Sequence, residues 1–409
     1  MVKIAVMGHG VVGSGVAELL QKNAAHIAAK AGEEIVLERV LDLREFPDLP
    51  YADKFTKHFA DISDDPTIQI VVETMGGITP AYDYVKACLL SGKSVVTSNK
   101  ELVAQKGDEL LAIAKEKGLN FLFEASVGGG IPVLRPLDQC LAANEVSEVA
   151  GILNGTTNFM LTRMIEDGMQ FEEALLLAQK RGYAEHDPSA DIDGLDACRK
   201  ICILASLAFG RHVYPAQVRT EGIREITLTD VRLAAAVGGV IKLIGKAVKN
   251  GEHVSCAVAP MIVQKEHLLS DVRDVFNAIL VRGDAIGDVV FYGRGAGKLP
   301  TASAVLADVI DEVKHLKARK YLCWSAGAPD YATDFGLLPA RMLLRVRAGA
   351  DRKTDLAAAL GDIEFVSCDA LPQDELAFVT SAMTEKELEA ALKAVSGAEP
   401  VRRLRLAEL

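Results

Sequence analysis

The stretch VKIAVMGHGVVGSGVAELLQKN, residues 2–23, decides the fold. VKIAVM is a run of strand length, apolar but for Lys3, and VVGSGVAELLQKN has the spacing of an amphipathic helix. Between them lies Gly8-x-Gly10-x-x-Gly13. In a strand–turn–helix context these glycines supply a tight turn, a close backbone approach to a pyrophosphate and close helix–strand packing, while the helix N-terminus presents N–H groups to the anion. Gly8, Gly10, Val11, Val12 and Gly13 are therefore expected at a dinucleotide phosphate site.

The pattern continues outward from this turn. IVLERVLD and IQIVVETMGG read as further strands, followed by AYDYVKACLLSG, SVVTSN, GDELLAIAKEKG and LNFLFEA. Such alternation predicts an α/β fold with a doubly wound, mostly parallel Rossmann-type sheet over residues 1–135. The second strand runs into Leu41-Asp42-Leu43-Arg44. An acid at this point suits the ribose 2′-hydroxyl of NAD, and an arginine just beyond suits the 2′-phosphate of NADP. Both are present, so the residues leave the choice between NAD and NADP open.

From about residue 145 short strands mix with the helices FEEALLLAQKRG and LDACRKICILASLAFG, which predicts an α+β substrate domain over 136–330. PTASAVLADVIDEVKHLKAR, residues 300–319, reads as a long helix returning to the first domain. Residues 339–409 spell βαββαβ, a ferredoxin-like unit.

Composition bounds the chemistry. The chain has 409 residues and a net charge of -11, which argues against nucleic acid or an anionic membrane as partner and favours a small molecule. No apolar run reaches membrane-span length and the N-terminus lacks signal-peptide character, so a cytoplasmic protein is expected. The seven cysteines (88, 140, 198, 202, 256, 323 and 368) form no CxxC pair and read as reduced thiols.

GYAEHDPSADIDGLDACRK, residues 182–200, crowds Glu185, Asp187, Asp191, Asp193 and Asp196 into a turn-rich segment ahead of Lys200. The preceding helix ends with Lys180, Arg181 and Gly182. A new helix from about Ile192 places Asp196 and Lys200 four apart, on one face. Because ICILASLAF continues that helix into the core, Lys200 is a candidate proton acceptor. Asp187 and Asp193 read as loop caps, His186 as exposed, and His9 as lacking a partner that would make it a base.

These residues carry a resemblance. The segment 182–200 resembles the signature of the homoserine dehydrogenases, as do ILNGTTNFML, SNKELVA, EASVGGGIPVL and YGRGAGKLPTASAVLADV. The resemblance implies NAD(P)-dependent interconversion of L-homoserine and L-aspartate 4-semialdehyde, leading to threonine and methionine. It implies that Lys200 handles the hydroxyl proton, that Asp196 orients the substrate, and that Glu185 and Gly182 hold L-homoserine with Asp191 in support. Lys100 would face the cofactor and the reacting carbon, with Thr74, Gly155 to Thr157 and Gly297 completing the cleft. It further implies a structural sodium ion held by Glu124 and the carbonyls of Val127, Gly129 and Ile131; the bare residues say only strand end and glycine-rich turn.

The C-terminal unit resembles an ACT domain, an amino-acid sensor, and a homodimer or homotetramer is expected. It departs from that pattern at Ala348-Gly349-Ala350-Asp351-Arg352-Lys353, where a Pro-Gly turn is missing. Two other readings stay open: another dinucleotide-dependent amino-acid dehydrogenase, and a catalytically silent NAD(H)-binding sensor.

Overall fold

The computed structural model describes residues 1–318 and 322–409. The first stretch contains β1 (Val2–Met7), α1 (Val11–Lys22), α2 (Ala24–Ala31), β2 (Ile35–Leu41), β3 (Phe55–Thr56), α3 (Ala60–Ser63), β4 (Ile68–Glu73), α4 (Ala81–Leu90), β5 (Ser94–Thr97), α5 (Lys100–Lys117) and β6 (Phe121–Leu122). There follow β7 (Val146–Ile152), α6 (Gly155–Asp167), α7 (Phe171–Lys180), α8 (Ser189–Ile192), α9 (Leu195–Phe209), β8 (Arg219–Thr220), α10 (Leu228–Ala236), β9 (Gly239–Asn250), β10 (His253–Gln264) and β11 (Phe276–Gly283). The chain continues through β12 (Gly287–Arg294), α11 (Lys298–Lys314), β13 (Ala332–Thr333), β14 (Met342–Arg347), α12 (Lys353–Leu360), β15 (Ile363–Val366), β16 (Glu375–Thr380), α13 (Glu385–Lys393) and β17 (Glu399–Leu406). Two compact units result. One comprises residues 1–146, 202–215 and 282–329, and the other 147–201, 216–281 and 330–409.

In the first unit the strands run in the order β3-β2-β1-β4-β5-β6, and every pairing is parallel. This is the doubly wound order expected of the glycine turn, which it puts at the carboxyl end of the central strand β1. Five of the six β1 residues are buried, as a strand covered on both faces requires. α11 lays Ala302, Val305, Leu306, Val309 and Val313 into the core that α1 lines with Val16, Ala17 and Leu20. Gly15 allows that approach, because a Cβ there would stand 3.0 Å from the Ala302 methyl. The helix expected over 300–319 therefore exists, but it starts at Lys298 and ends at Lys314; Arg319 lies outside the described residues.

The second unit is built on one mixed sheet, whose spine is the twelve-residue antiparallel pair β9–β10. The order along it is β11-β7-β9-β10-β17-β14-β16-β15. Its last four strands, with α12 and α13, form the βαββαβ unit read from the sequence, and their pairings are antiparallel. That unit is fused to the rest edge to edge: Met261 and Ile262 of β10 pair in parallel with Arg405 and Leu406 of β17. Buried charges tie the same seam. Arg345 reaches Asp230 at 2.7 Å and Glu375 at 2.8 Å, and Glu385 takes Arg405 at 3.0 Å and Arg403 at 2.9 Å, together with Arg219. Among the described residues no helix is long and apolar enough to cross a membrane.

Candidate active site

The glycine turn is shaped by collisions that any side chain would suffer. Gly8 has φ +92°, which L-residues rarely adopt, and a Cβ on Gly13 would lie 1.9 Å from the Gly8 carbonyl oxygen. Thr74, at the end of β4, donates its hydroxyl to that same carbonyl at 2.8 Å. Gly10 differs: a Cβ there meets nothing within 4 Å. It sits at the N-terminus of α1 and offers no side chain to cap the helix. Open space over uncapped N–H groups is what a pyrophosphate needs, so the residues present fit a dinucleotide.

Beyond β2, Asp42 and Arg44 bind each other. Arg44 donates from its guanidinium to both Asp42 oxygens at 2.9 and 3.0 Å, and from its own backbone N–H at 2.9 Å. That arginine holds the carboxyl well below the usual carboxylate range despite partial burial. Asp42 also accepts the His9 backbone N–H at 2.7 Å. His9 is held by its neighbours. Its Nε2 meets the Tyr51 hydroxyl at 3.0 Å and its ring packs edge-on against Phe46 and Phe55. The histidine anchors the glycine turn to the loop after β2.

Lys100 opens α5, whose N-cap is Asn99 accepting the Leu102 N–H at 3.1 Å. Gly297 precedes α11 with φ +129°, again a glycine conformation. Glu124 is buried. Its two oxygens accept three backbone N–H groups, from Val133 (2.6 Å), Leu134 (2.9 Å) and Arg135 (2.7 Å). The carboxylate thus anchors residues 133–135.

In the second unit the acidic segment folds around a lysine. α7 ends in a Schellman-type turn, with Gly182 at φ +72° and its N–H on the Gln179 carbonyl at 3.0 Å, and the Tyr183 N–H on that of Ala178 at 2.9 Å. The expected single helix from Ile192 is two. α8 stops at Ile192, and Gly194 at φ +81° turns the chain before α9 begins at Leu195. α9 then sets Asp196 and Lys200 one turn apart, and the Nζ–Oδ2 distance is 2.7 Å with side chains 8% and 5% exposed. Lys200 also donates to the Leu153 carbonyl at 2.8 Å.

Asn154, which the sequence reading passed over, knits this cluster together. Its amide donates to Asp191 at 2.7 Å and to Asp196 at 2.9 Å, while its oxygen accepts the Thr157 N–H at 2.9 Å and caps α6. The Asn-Gly-Thr-Thr run before an apolar stretch was the available N-cap signal. Burial, with Asp196 second, pushes the Asp191 carboxyl above its usual range. Thr156 fastens the acidic loop by donating to the Tyr183 carbonyl at 2.7 Å, and Gln179 donates to the Glu185 carbonyl at 3.1 Å. Glu185 itself is exposed, as is His186. Asp187 caps Ser189, and Asp193 pairs with Arg224. A buried lysine beside one carboxyl group, with a second acid nearby, can exchange a proton with a substrate oxygen.

Comparison with known proteins finds similarity to one family. Residues 8–124 match the family model described as the NAD binding domain of homoserine dehydrogenase, and residues 132–310 match that of homoserine dehydrogenase. A homoserine dehydrogenase of Synechocystis is 45% identical over 318 residues, covering 76% of this chain and 73% of that protein. The crystal structure of a homoserine dehydrogenase from Thiobacillus denitrificans superposes with a TM-score of 0.90 at 36% identity, covering 99% of this chain and 98% of that one. A hyperthermophilic archaeal homoserine dehydrogenase solved in complex with NADPH has a TM-score of 0.65 at 26% identity, covering 81% of this chain and 99% of that one.

Two glycine substitutions separate ligand space from packing space. Gly10→Val is expected to leave the urea midpoint unchanged and to abolish binding of a nicotinamide dinucleotide followed by titration. Gly13→Ala is expected to lower stability by about 1–3 kcal/mol, since the turn must open to admit the methyl. Normal cofactor affinity in folded Gly10→Val would contradict the assignment.

Proposed function

The chain belongs to the homoserine dehydrogenase family, and from that premise we propose which of its residues carry the reaction. The enzyme is an NAD(P)-dependent oxidoreductase that interconverts L-homoserine and L-aspartate 4-semialdehyde by hydride transfer, in threonine and methionine biosynthesis. When bound, the nicotinamide takes the hydride from the alcohol carbon or returns it to the aldehyde. A protein group must then move the hydroxyl proton, and the buried Asp196–Lys200 pair is the observation that carries our assignment of Lys200.

The pair has a direction built into it. A carboxylate at 2.7 Å favours the ammonium form of Lys200, which is the form that donates a proton to the oxygen as the semialdehyde is reduced. In the oxidative direction the same group must give up its proton first. Lys100 polarises the developing oxyanion. Glu185, exposed on a loop whose backbone Gln179 and Thr156 fasten, takes the substrate ammonium beside Gly182. Asp191, whose carboxyl burial pushes above its usual range, supports the same pocket through Asn154.

Gly8, Gly10, Val11, Val12, Gly13 and Thr74 hold the pyrophosphate, and Gly297 lines the cleft. The Asp42–Arg44 pair gives the adenosine end two options, a ribose hydroxyl on Asp42 or a 2′-phosphate on Arg44, so both NAD and NADP are accommodated. For a structural sodium ion we propose Glu124 with the backbone carbonyls of Val127, Gly129 and Ile131. We assign residues 339–409 as an ACT-like assembly module of a homodimer or homotetramer. Its loop at Ala350–Arg352 closes as a 3-10 turn without the Pro-Gly pair that shapes an amino-acid site.

Lys200→Ala is expected to lower turnover by roughly 10² to 10⁴ with cofactor affinity retained, followed by reduced-nicotinamide absorbance with L-homoserine. Turnover above half of the parent value would remove Lys200 from the mechanism. In the same assay Glu185→Gln should chiefly raise KM for homoserine. Threonine at millimolar concentration should change the initial rate by less than the about fivefold of ordinary allosteric coupling. Stronger inhibition would mean that the 348–353 loop senses threonine without the usual turn.

A further inference from the structure

β4 ends in Glu73, a carboxylic acid with 0% exposure at the carboxyl edge of the parallel sheet. Burying such a group costs several kcal/mol unless hydrogen bonds replace its water, and here they come from two different turns. Oε1 accepts the backbone N–H groups of Met75 (2.7 Å) and Gly76 (3.3 Å), both in the turn after β4. Oε2 accepts the hydroxyl of Thr97, at the end of β5, at 2.5 Å.

The bonds close into a ring. Thr97 Oγ1 takes the backbone N–H of Asn99 at 2.9 Å, and the Asn99 amide donates to the Gly77 carbonyl at 2.6 Å, back in the first turn. The remaining Asn99 oxygen caps α5 on the Leu102 N–H, and Lys100 is the first residue of that helix. Gly76 and Gly77 accept the strained side of the arrangement, with φ +79° and +69°. Burial pushes the Glu73 carboxyl above its usual range, against the pull of its hydrogen-bond donors, so the site keeps an acid where an apolar residue would be cheaper to bury.

We propose that Glu73 is a positioning residue: through Thr97 and Asn99 it locks the first turn of α5, and with it Lys100, to the Thr74–Gly77 turn. These are the turns after β4 and β5, at the strand ends where open α/β sheets bind ligands. The cofactor-facing turn and the polarising lysine then move as one body. The inference rests on the proposed role of Lys100 at the reacting carbon.

The test uses two substitutions that keep volume. Glu73→Gln leaves an acceptor for Met75 and Gly76 but sets an NH2 group against Thr97, and Thr97→Val deletes the bridging hydroxyl. Each is expected to lower kcat by about tenfold to a hundredfold, as small misplacements of a reacting geometry do, with NADPH affinity changed by less than about threefold. In a Lys100→Met background, itself slow, Glu73→Gln should add little further loss, because both act on one function. Folded variants with kcat within about twofold of the parent would overturn the proposal, as would an equal loss with and without Lys100. Full turnover in Lys100→Met alone would overturn the reading of Lys100 and the coupling together, so the two failures are told apart.

Discussion

The second unit is organised around a charge pair that the chain has removed from water. Lys200 and Asp196 are both nearly inaccessible, and burying either alone would cost several kcal/mol. Their cohesion comes from what surrounds them. The Leu153 carbonyl takes a second Lys200 proton, and the Asn154 amide supplies Asp196. Leu153 and Asn154 lie at the junction between β7 and α6, so strand end, helix cap and the start of α9 are held by one polar cluster. Removing a partner leaves a buried charge uncompensated, whereas a substrate oxygen can join the cluster without disturbing its charge balance.

The glycine turn follows a different logic. It is shaped by exclusion: Gly8 and Gly13 are needed because neighbouring backbone fills the space of a side chain, and Gly10 because the ligand must. His9 and the Asp42–Arg44 pair then fix the loop after β2, and the Glu73 ring ties the turns after β4 and β5. The acidic loop before α8 is instead tied mainly through its backbone, which leaves the Glu185 side chain exposed. In the C-terminal region, buried Arg345 and Glu385 make the βαββαβ unit part of the larger sheet.

What the sequence made legible was local in the chain. Apolar runs of strand length and a Gly-x-Gly-x-x-Gly turn sit within a few residues of each other, and Asp196 and Lys200 share a helix face by simple spacing. Gly194 carried a readable break signal between α8 and α9 that the acidic spacing obscured. Asn154 was hidden by distance, since its carboxylate partners follow it by 37 and 42 residues. Glu73 looked like an ordinary strand-end acid, and only the adjacency of β4 and β5 discloses its ring. The three backbone N–H groups that Glu124 accepts lie nine to eleven residues on, and their convergence on one carboxylate is likewise settled by folding.

The most direct test of the central claim is the pH dependence of kcat/KM for L-homoserine oxidation in three proteins. Proton transfer to Lys200 requires its neutral form, so the rate of the parent enzyme should rise with pH along an acid limb. Asp196→Asn removes the charge that favours the ammonium, and the limb should move to lower pH. Lys200→Ala should lose the limb along with most of the rate. A limb that stays in place when Asp196 is neutralised, or that survives in Lys200→Ala, would contradict the assignment of the buried pair as the proton-transfer centre.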